Sequence, residues 1–305
     1  MINIYKTFGG YTEIEEAERG CWINVVSPTD TEITRLQDEF NIQPDIIRDI
    51  LDADERPRYE ADDDWWVIIF RIPVESEDLL YITVPLGIIR IGGMTVSICS
   101  RINDVLPVDQ PTIYKSPVTD LWNFIFRLML RCCNTYQAYL KNINHQISLI
   151  EHELQGAIHN DKLNSLLHIQ KCLVYFITSL KSNEIVMARF RTHVKMNLDE
   201  KDEDLLEDAF IENKQALDVA QIYADILNGT LDMFSSVISN NLNAMMKQLT
   251  SISIILMIPT LVASFYGMNV INYFEDWRWA FPVLTIVSIL MAFIGYVVIR
   301  KKDLF

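Results

Sequence analysis

The 305-residue chain is poor in positive charge, with 26 lysine and arginine residues against 41 aspartate and glutamate residues and a net charge of −15. Proteins that bind nucleic acid need a basic surface for the phosphate backbone, so this acidity argues against a nucleic-acid partner. Cysteine is also scarce: the five residues show no Cys-x-x-Cys spacing. The sequence therefore predicts reduced, buried thiols rather than a disulfide framework or a zinc knuckle.

The N-terminal segment has no basic region followed by an apolar run, as a targeting signal would have. Long uncharged runs occur instead near the C-terminus, with 27 residues at 248–274 and 21 at 279–299. About 20 apolar residues cross a bilayer, so these runs predict two membrane spans, at about 248–267 and 279–299. A pair of buried core helices in a soluble protein is the alternative.

Charges at the ends of the two spans orient the predicted hairpin. Lys247 precedes the first span, Arg300-Lys301-Lys302 follows the second, and the connecting loop holds one arginine and two acids. The positive-inside rule then predicts a multi-pass protein of the cell (plasma or inner) membrane with both termini cytoplasmic. Two helices in each chain cannot enclose a pore, so any conduit requires an oligomer.

The remaining residues, 1–247, carry a net charge of −16 and are expected to be cytoplasmic. Residues 1–115 read as an α/β domain. Ser27-Pro28-Thr29-Asp30 predicts a helix N-cap at Ser27, and Gly92-Gly93 predicts a two-residue hairpin. Strands are predicted where β-branched and aromatic residues cluster, at Trp66–Ile72, Ile82–Ile91 and Met94–Cys99.

Residues 116–247 read as a helical region because apolar residues recur at helical spacing. A turn near Gly156 separates two long helices. A third helix is expected from about Asp199 and, if it continues to Tyr266, is roughly 100 Å long at ~1.5 Å per residue. The predicted fold class is thus an α+β cytoplasmic domain with a long helical stalk and a transmembrane hairpin at 248–305 that ends in a basic cytoplasmic tail.

The first span ends in Tyr266-Gly267-Met268-Asn269. Gly-Met-Asn at the outer end of the first of two C-terminal membrane helices, attached to a large acidic domain, resembles the CorA family of magnesium and cobalt transport proteins. The segment Asp54–Glu60 also resembles that family's Arg-Pro segment. The resemblance implies a homopentameric channel for Mg²⁺ uptake, with Co²⁺ and Ni²⁺ as further candidate ions, and no enzymatic activity.

The resemblance also implies the pore residues. Tyr266, Gly267, Met268 and Asn269 would form the selectivity filter, in which a ring of Asn269 carboxamides binds Mg²⁺ through its retained water shell. Leu249 and Met257 would form hydrophobic constrictions that gate the pore. The full set of pore-facing positions is Asp232, Asn243, Leu249, Met257 and Ser264, whose spacing allows one helix face to carry them.

Two groups of acids complete the expectation. Glu275 and Asp276 form either an acidic collar at the outer mouth or a plain solvated turn. Asp208 falls at the family's regulatory position, where Mg²⁺ bridges acids of neighbouring subunits. The candidate partners are Glu75, Glu77 and Asp78. Mg²⁺ would then be both the transported ion and a regulatory ligand.

Three other functions stay open on the sequence. One is a Zn²⁺-type transporter of the same fold, although zinc-transporting relatives carry Ile in place of Met268. Another is a non-conducting, Mg²⁺-sensing membrane scaffold. The third is a membrane-tethered enzyme using His145, His152 and His159, but neighbours seven residues apart on a helix lie about 10 Å apart and cannot share one zinc ion.

Overall fold

The structure is a computed structural model that describes residues 1–6, 11–107, 121–154, 160–193, 198–268 and 278–301. The chain forms two compact units, Met1–Gly229 and Thr230–Phe305. The predicted boundary between residues 115 and 116 lies outside the described residues.

A seven-stranded sheet organises the first unit, in the order β2-β1-β3-β7-β6-β5-β4. Strands β3 and β7 pair in parallel and every other described pair is antiparallel. The β6–β7 hairpin turns at Gly92 and Gly93, whose φ angles of +59° and +83° suit glycine. The three predicted strands are confirmed as β5, β6 and β7. The strands are β1 (Ile2–Lys6), β2 (Thr12–Ile14), β3 (Trp22–Val26), β4 (Arg58–Ala61), β5 (Trp65–Glu75), β6 (Tyr81–Ile91) and β7 (Met94–Cys99).

Two short helices, α1 (Asp30–Asp38) and α2 (Pro44–Leu51), cover one face of this sheet. A Cβ atom at Gly87 on β6 would lie 2.2 Å from Ile50 Cδ1, so glycine is what lets α2 approach the sheet this closely. The core on this face is aliphatic; its central residues are Ile23, Val25, Leu36, Ile47, Ile50, Val67, Ile69, Ile89, Val96 and Ile98.

The N-cap of α1 differs from the prediction, because Thr29 and not Ser27 caps the helix. Glu32 completes a capping box: the Thr29 hydroxyl accepts from the Glu32 backbone N–H, and the Glu32 carboxylate accepts from the Thr29 backbone N–H at 2.9 Å. That backbone hydrogen bond holds the pKa of Glu32 below its usual value.

Helices α3 (Leu121–Leu154) and α4 (Asn160–His193) pack against the opposite face of the sheet. Trp22 on β3 meets Phe124 on α3 with ring centroids 5.6 Å apart. The two predicted long helices are therefore confirmed, and the turn between them lies outside the described residues. All five cysteines are free and buried, as predicted; burial raises the pKa of the Cys99 thiol to about 11.

Helix α5 (Glu200–Tyr266) is 67 residues long and contains Pro259, and helix α6 (Ala280–Lys301) follows. Asp199 caps α5, since its carboxylate accepts from the Asp202 backbone N–H at 2.8 Å. Both α5 and α6 contain a window long and apolar enough to cross a membrane. The predicted fold class, an α+β domain with a long helix and two apolar C-terminal helices, is confirmed.

Candidate functional site

The candidate filter begins where α5 ends, at Tyr266. The Gly267 backbone N–H donates to the Ala263 carbonyl at 2.9 Å, and a Cβ atom at Gly267 would lie 3.3 Å from that same oxygen. Any residue larger than glycine at position 267 would therefore crowd the Ala263 carbonyl oxygen. Met268 follows with half of its surface exposed. Asn269 and the two candidate mouth acids, Glu275 and Asp276, lie outside the described residues.

The five candidate pore-facing residues all lie on α5 and are all exposed in the single chain: Asp232, Asn243, Leu249, Met257 and Ser264. At about 100° per residue, four of them fall within an arc of about 60° on a regular helix, and Leu249 lies at least about 60° outside that arc. One helix face therefore carries the polar candidates and Met257, whereas Leu249 lies on the flank of that face.

Small residues on α6 lie where it packs most closely. Ala280 and Ser288 are the buried residues of α6. Gly295, seven residues after Ser288, allows the Ile258 side chain of α5 to approach, because a Cβ atom there would lie 3.1 Å from Ile258 Cδ1. Close backbone approach at small residues is how membrane helices pack without a hydrophobic driving force.

The three candidate regulatory acids of the sheet domain share one cavity. Glu75, Glu77 and Asp78 line a space of about 600 Å³ at the β5–β6 connection, together with Arg101. Asp208 is exposed on α5 and does not line this cavity. Within one chain, the structure therefore groups the three acids but does not bring Asp208 to them.

Comparisons with known proteins place this architecture. Residues 17–301 match the family described as CorA-like Mg²⁺ transporter protein. The chain belongs to this family. It is 25% identical over 261 residues to the cobalt/magnesium transport protein CorA of Methanocaldococcus jannaschii, which covers 83% of this chain and 81% of the relative.

Two further matches extend over most of the chain. The cobalt/magnesium transport protein CorA of Thermotoga maritima is 24% identical over 289 residues, covering 92% of this chain and 82% of the relative. The solved structure of the CorA magnesium transporter from Methanocaldococcus jannaschii superposes with a TM-score of 0.83 at 21% identity, covering 100% of this chain and 99% of that one.

As a member of the CorA-like family, the protein belongs to a class of membrane transporters and not to a class of enzymes. Among the described residues, no three His, Cys, Asp or Glu side chains come together as a metal site. His145 and His152 are exposed on α3, and His159 lies outside the described residues.

One polar contact between α4 and the sheet could not be predicted from the sequence. The carboxamide of Asn183, which is 2% exposed, bridges the backbone of Arg71: its oxygen accepts from the Arg71 N–H and its NH₂ group donates to the Arg71 carbonyl, both at 2.8 Å. Strand β4 pairs with β5 only as far as Ile69. Asn183 therefore satisfies the backbone N–H and carbonyl groups of Arg71, which β4 does not reach.

A cluster of ion pairs around Arg58, in the Arg-Pro segment, was also not predicted from the sequence. Its guanidinium contacts the carboxylates of Asp49, Glu55 and Glu60. Burial lowers the pKa of Arg58, but the charges of Glu60 and Glu55 outweigh burial and the net shift is upward. The density of acids around a single Arg-Pro pair is the sequence signal that points to this cluster.

Proposed function

We propose that this protein is a homopentameric divalent-cation channel for Mg²⁺ uptake in the cell membrane, with both termini cytoplasmic and with Co²⁺ and Ni²⁺ as further cargo. Membership of the CorA-like family carries the proposal. The two apolar helices α5 and α6 supply the membrane spans, and Gly267-Met268 at the end of α5 matches the first two residues of the Gly-Met-Asn motif. Asn269 completes that motif in the sequence.

Exposed apolar side chains support assembly of the cytoplasmic helices. On a regular helix at about 100° per residue, the large exposed apolar residues of α5 between Ile211 and Val237 fall within an arc of about 80°. Leu242, Met245 and Met246, nearer the membrane span, are also exposed but lie outside that arc. In water, a contiguous stripe of exposed apolar side chains marks a surface that another protein segment covers. We call the residues within the arc the α5 stripe; its members are Ile211, Ile222, Ile226, Met233 and Val237.

The position of Asp208 supports a regulatory role at a subunit contact. Counted at about 100° per residue, Asp208 falls inside the arc of the α5 stripe. An exposed carboxylate on the face that buries apolar surface against a neighbour must be neutralised there, and a divalent cation shared with a second acid does so. Glu75, Glu77 and Asp78 are the acids proposed to supply the other ligands, and intracellular Mg²⁺ at this site would hold the pore closed.

The transport test uses the purified full chain in liposomes that contain a Mg²⁺-sensitive dye. Wild type is expected to admit Mg²⁺, and Asn269→Ala to abolish entry because the ring of carboxamides is lost. Asn241→Ala is the matched control, since Asn241 is exposed on α5 about 160° around the helix from Asn243. Mg²⁺ entry through Asn269→Ala at the wild-type rate would refute the filter assignment. Entry of Zn²⁺ but not Mg²⁺ would favour the zinc alternative, and no flux from intact oligomers would favour the scaffold.

The regulatory test is limited proteolysis of the same protein with and without Mg²⁺. Mg²⁺ is expected to slow cleavage of wild type, and Asp208→Asn to remove this protection. Asp218→Asn is the control, because Asp218 is an exposed acid of α5 about 80° around the helix from Asp208. Equal protection of wild type and Asp208→Asn by Mg²⁺ would contradict the proposed site.

A further inference from the structure

A second cavity, of about 390 Å³, lies at the carboxyl ends of β3 and β7, the one parallel pair among the described strands. Ligands of open α/β sheets bind outside the carboxyl ends of such strands. The chain leaves β3 at Ser27, where a φ of +46° is strained for a residue with a side chain. Hydrogen bonds to β7 and to its end hold this turn, from the Ser27 N–H to the Cys99 carbonyl at 2.9 Å and from Ser27 Oγ to the Ser100 carbonyl at 2.8 Å.

Asn24 on β3 lines this cavity and is only 3% exposed. Trp22 Nε1 donates to Ser97 Oγ at 2.9 Å, and Ser97 Oγ donates its single hydrogen to Asn24 Oδ1 at 2.9 Å. This relay fixes the orientation of the Asn24 carboxamide, because the indole can only donate. The Asn24 NH₂ group makes no hydrogen bond to any described residue, so it offers unused donors at the cavity wall.

Asn3 supplies the complementary group beside it. Asn3 on β1 pairs directly with Asn24 in the sheet register, and both residues line the cavity. The NH₂ group of Asn3 donates to Glu13 Oε1 at 2.8 Å, which leaves its carbonyl oxygen as an acceptor. Side chains directly opposite on neighbouring strands have Cβ atoms about 4.5–5.5 Å apart. The wall thus presents a donor next to an acceptor.

The rest of the lining combines the polar residues Ser27 and Asn103 with apolar side chains that can cover a ring. Val26 lies on the same face of β3 as Asn24, and Ile102 and Leu106 come from the segment after β7. The volume falls within the range of small-molecule sites, about 300–1,000 Å³. A donor beside an acceptor matches the edge of a nucleobase, in which a ring carbonyl or ring nitrogen adjoins an N–H group.

We propose that this cavity binds the nucleobase of a nucleoside or nucleotide, with the Asn24 NH₂ group donating to the ring acceptor and the Asn3 carbonyl accepting from the adjacent N–H. The apolar side chains of Val26, Ile102 and Leu106 cover the ring. The ligand therefore binds in the sheet domain, to residues that lie outside α5 and α6. The proposal is independent of which ion the protein carries.

The test is equilibrium dialysis of the full chain in detergent with labelled uridine and adenosine. Binding is expected for at least one of them, and blocking its ring donor, as in 3-methyluridine or N6,N6-dimethyladenosine, is expected to weaken it about tenfold, the effect of losing one hydrogen bond of about 1.4 kcal/mol. A parallel arm with the corresponding Mg²⁺–nucleoside triphosphates decides whether free nucleosides or nucleotides are the better ligands.

Two variants keep the proposal falsifiable. Asn24→Asp removes the NH₂ donors, and Leu106→Trp fills the cavity without adding charge; both are expected to weaken binding at least about tenfold. Asn164→Asp, an exposed site on α4, is the matched control and should bind like wild type. Absence of binding by every nucleoside and nucleotide, or binding that is unchanged in Leu106→Trp, would overturn the proposal.

Discussion

Replacing Asn183 by alanine is expected to destabilise the sheet domain strongly, because one buried side chain satisfies both polar groups of one backbone residue. The Arg71 N–H loses its acceptor at 2.8 Å, and an unpaired buried donor costs about 1–3 kcal/mol. The Arg71 carbonyl keeps a second donor, the Tyr136 hydroxyl at 3.1 Å, so its loss is about 0.5–1.5 kcal/mol. Together the two losses amount to about 1.5–4.5 kcal/mol.

The measurement is thermal unfolding of the full chain in detergent, followed by the near-ultraviolet signal of the aromatic core. For a unit of this size, about 2–4 °C of Tm is lost per kcal/mol, so Asn183→Ala should lower the transition by roughly 3–18 °C. Asn164→Ala on the same helix removes an exposed carboxamide and should change Tm little. If Asn183→Ala and Asn164→Ala have the same Tm, the reasoning about the bridging carboxamide is wrong.

Three other perturbations have expected outcomes. In Gly295→Ala the new Cβ meets only the flexible Cδ1 end of Ile258 at 3.1 Å and flux should persist, whereas Gly295→Leu should abolish it; equal flux would contradict close packing of α5 and α6. Ile222→Glu places a charge in the α5 stripe and should lower the mass of the oligomer in native mass spectrometry; an unchanged oligomer would exclude the stripe as a contact. Because the pKa of Glu32 is lowered in the fold, its ionised form stabilises above the unfolded pKa of about 4.3 and this stabilisation is lost as pH falls through the folded pKa. The Tm difference between wild type and Glu32→Gln should therefore shrink from pH 6 to pH 3, and a constant difference would contradict the cap.

Features set by local pattern could be predicted from the sequence. The Gly92-Gly93 hairpin and the run of α5 from Asp199 to Tyr266 depend on residues close together in the chain, so turn chemistry and helix periodicity reveal them. The N-cap of α1 shows where this reasoning ends. Ser27 and Thr29 are both good caps, but the Ser27 N–H is taken by the Cys99 carbonyl of β7, and only the tertiary pairing decides between them.

Contacts between distant residues could not be predicted, because no spacing links them. The hydrogen bond between Asn183 and Arg71 joins residues 112 positions apart in the chain, and the hydrogen bond between Ser97 and Asn24 joins residues 73 positions apart. The candidate pore residues could be placed on one helix from their spacing alone, but their roles rest on the family resemblance. The partner of Asp208 lies outside a single chain in the proposed assembly, so neither the sequence nor one subunit brings it into contact.

The regulatory and pore candidates share one helix, and Gly229 separates them. Asp208 precedes Gly229 and Asp232 follows it, so a signal that travels along α5 must pass this residue. Glycine is the weakest ordinary helix former, about 1 kcal/mol worse than alanine, and a Cβ atom at Gly229 would meet nothing within 4 Å. Gly229→Ala should therefore stabilise α5 and preserve inhibition of flux by internal Mg²⁺.

Gly229→Pro removes a helical hydrogen bond and clashes with the preceding turn, at a cost of about 3 kcal/mol. Its flux should escape inhibition by internal Mg²⁺, while protection of the cytoplasmic part from protease by Mg²⁺ persists, because Asp208 and its proposed partners are unchanged. Native mass spectrometry identifies a proline variant that merely fails to assemble. If the assembled proline variant is inhibited as strongly as wild type, the Mg²⁺ signal does not pass along α5, and the contacts that α6 makes become the route to test.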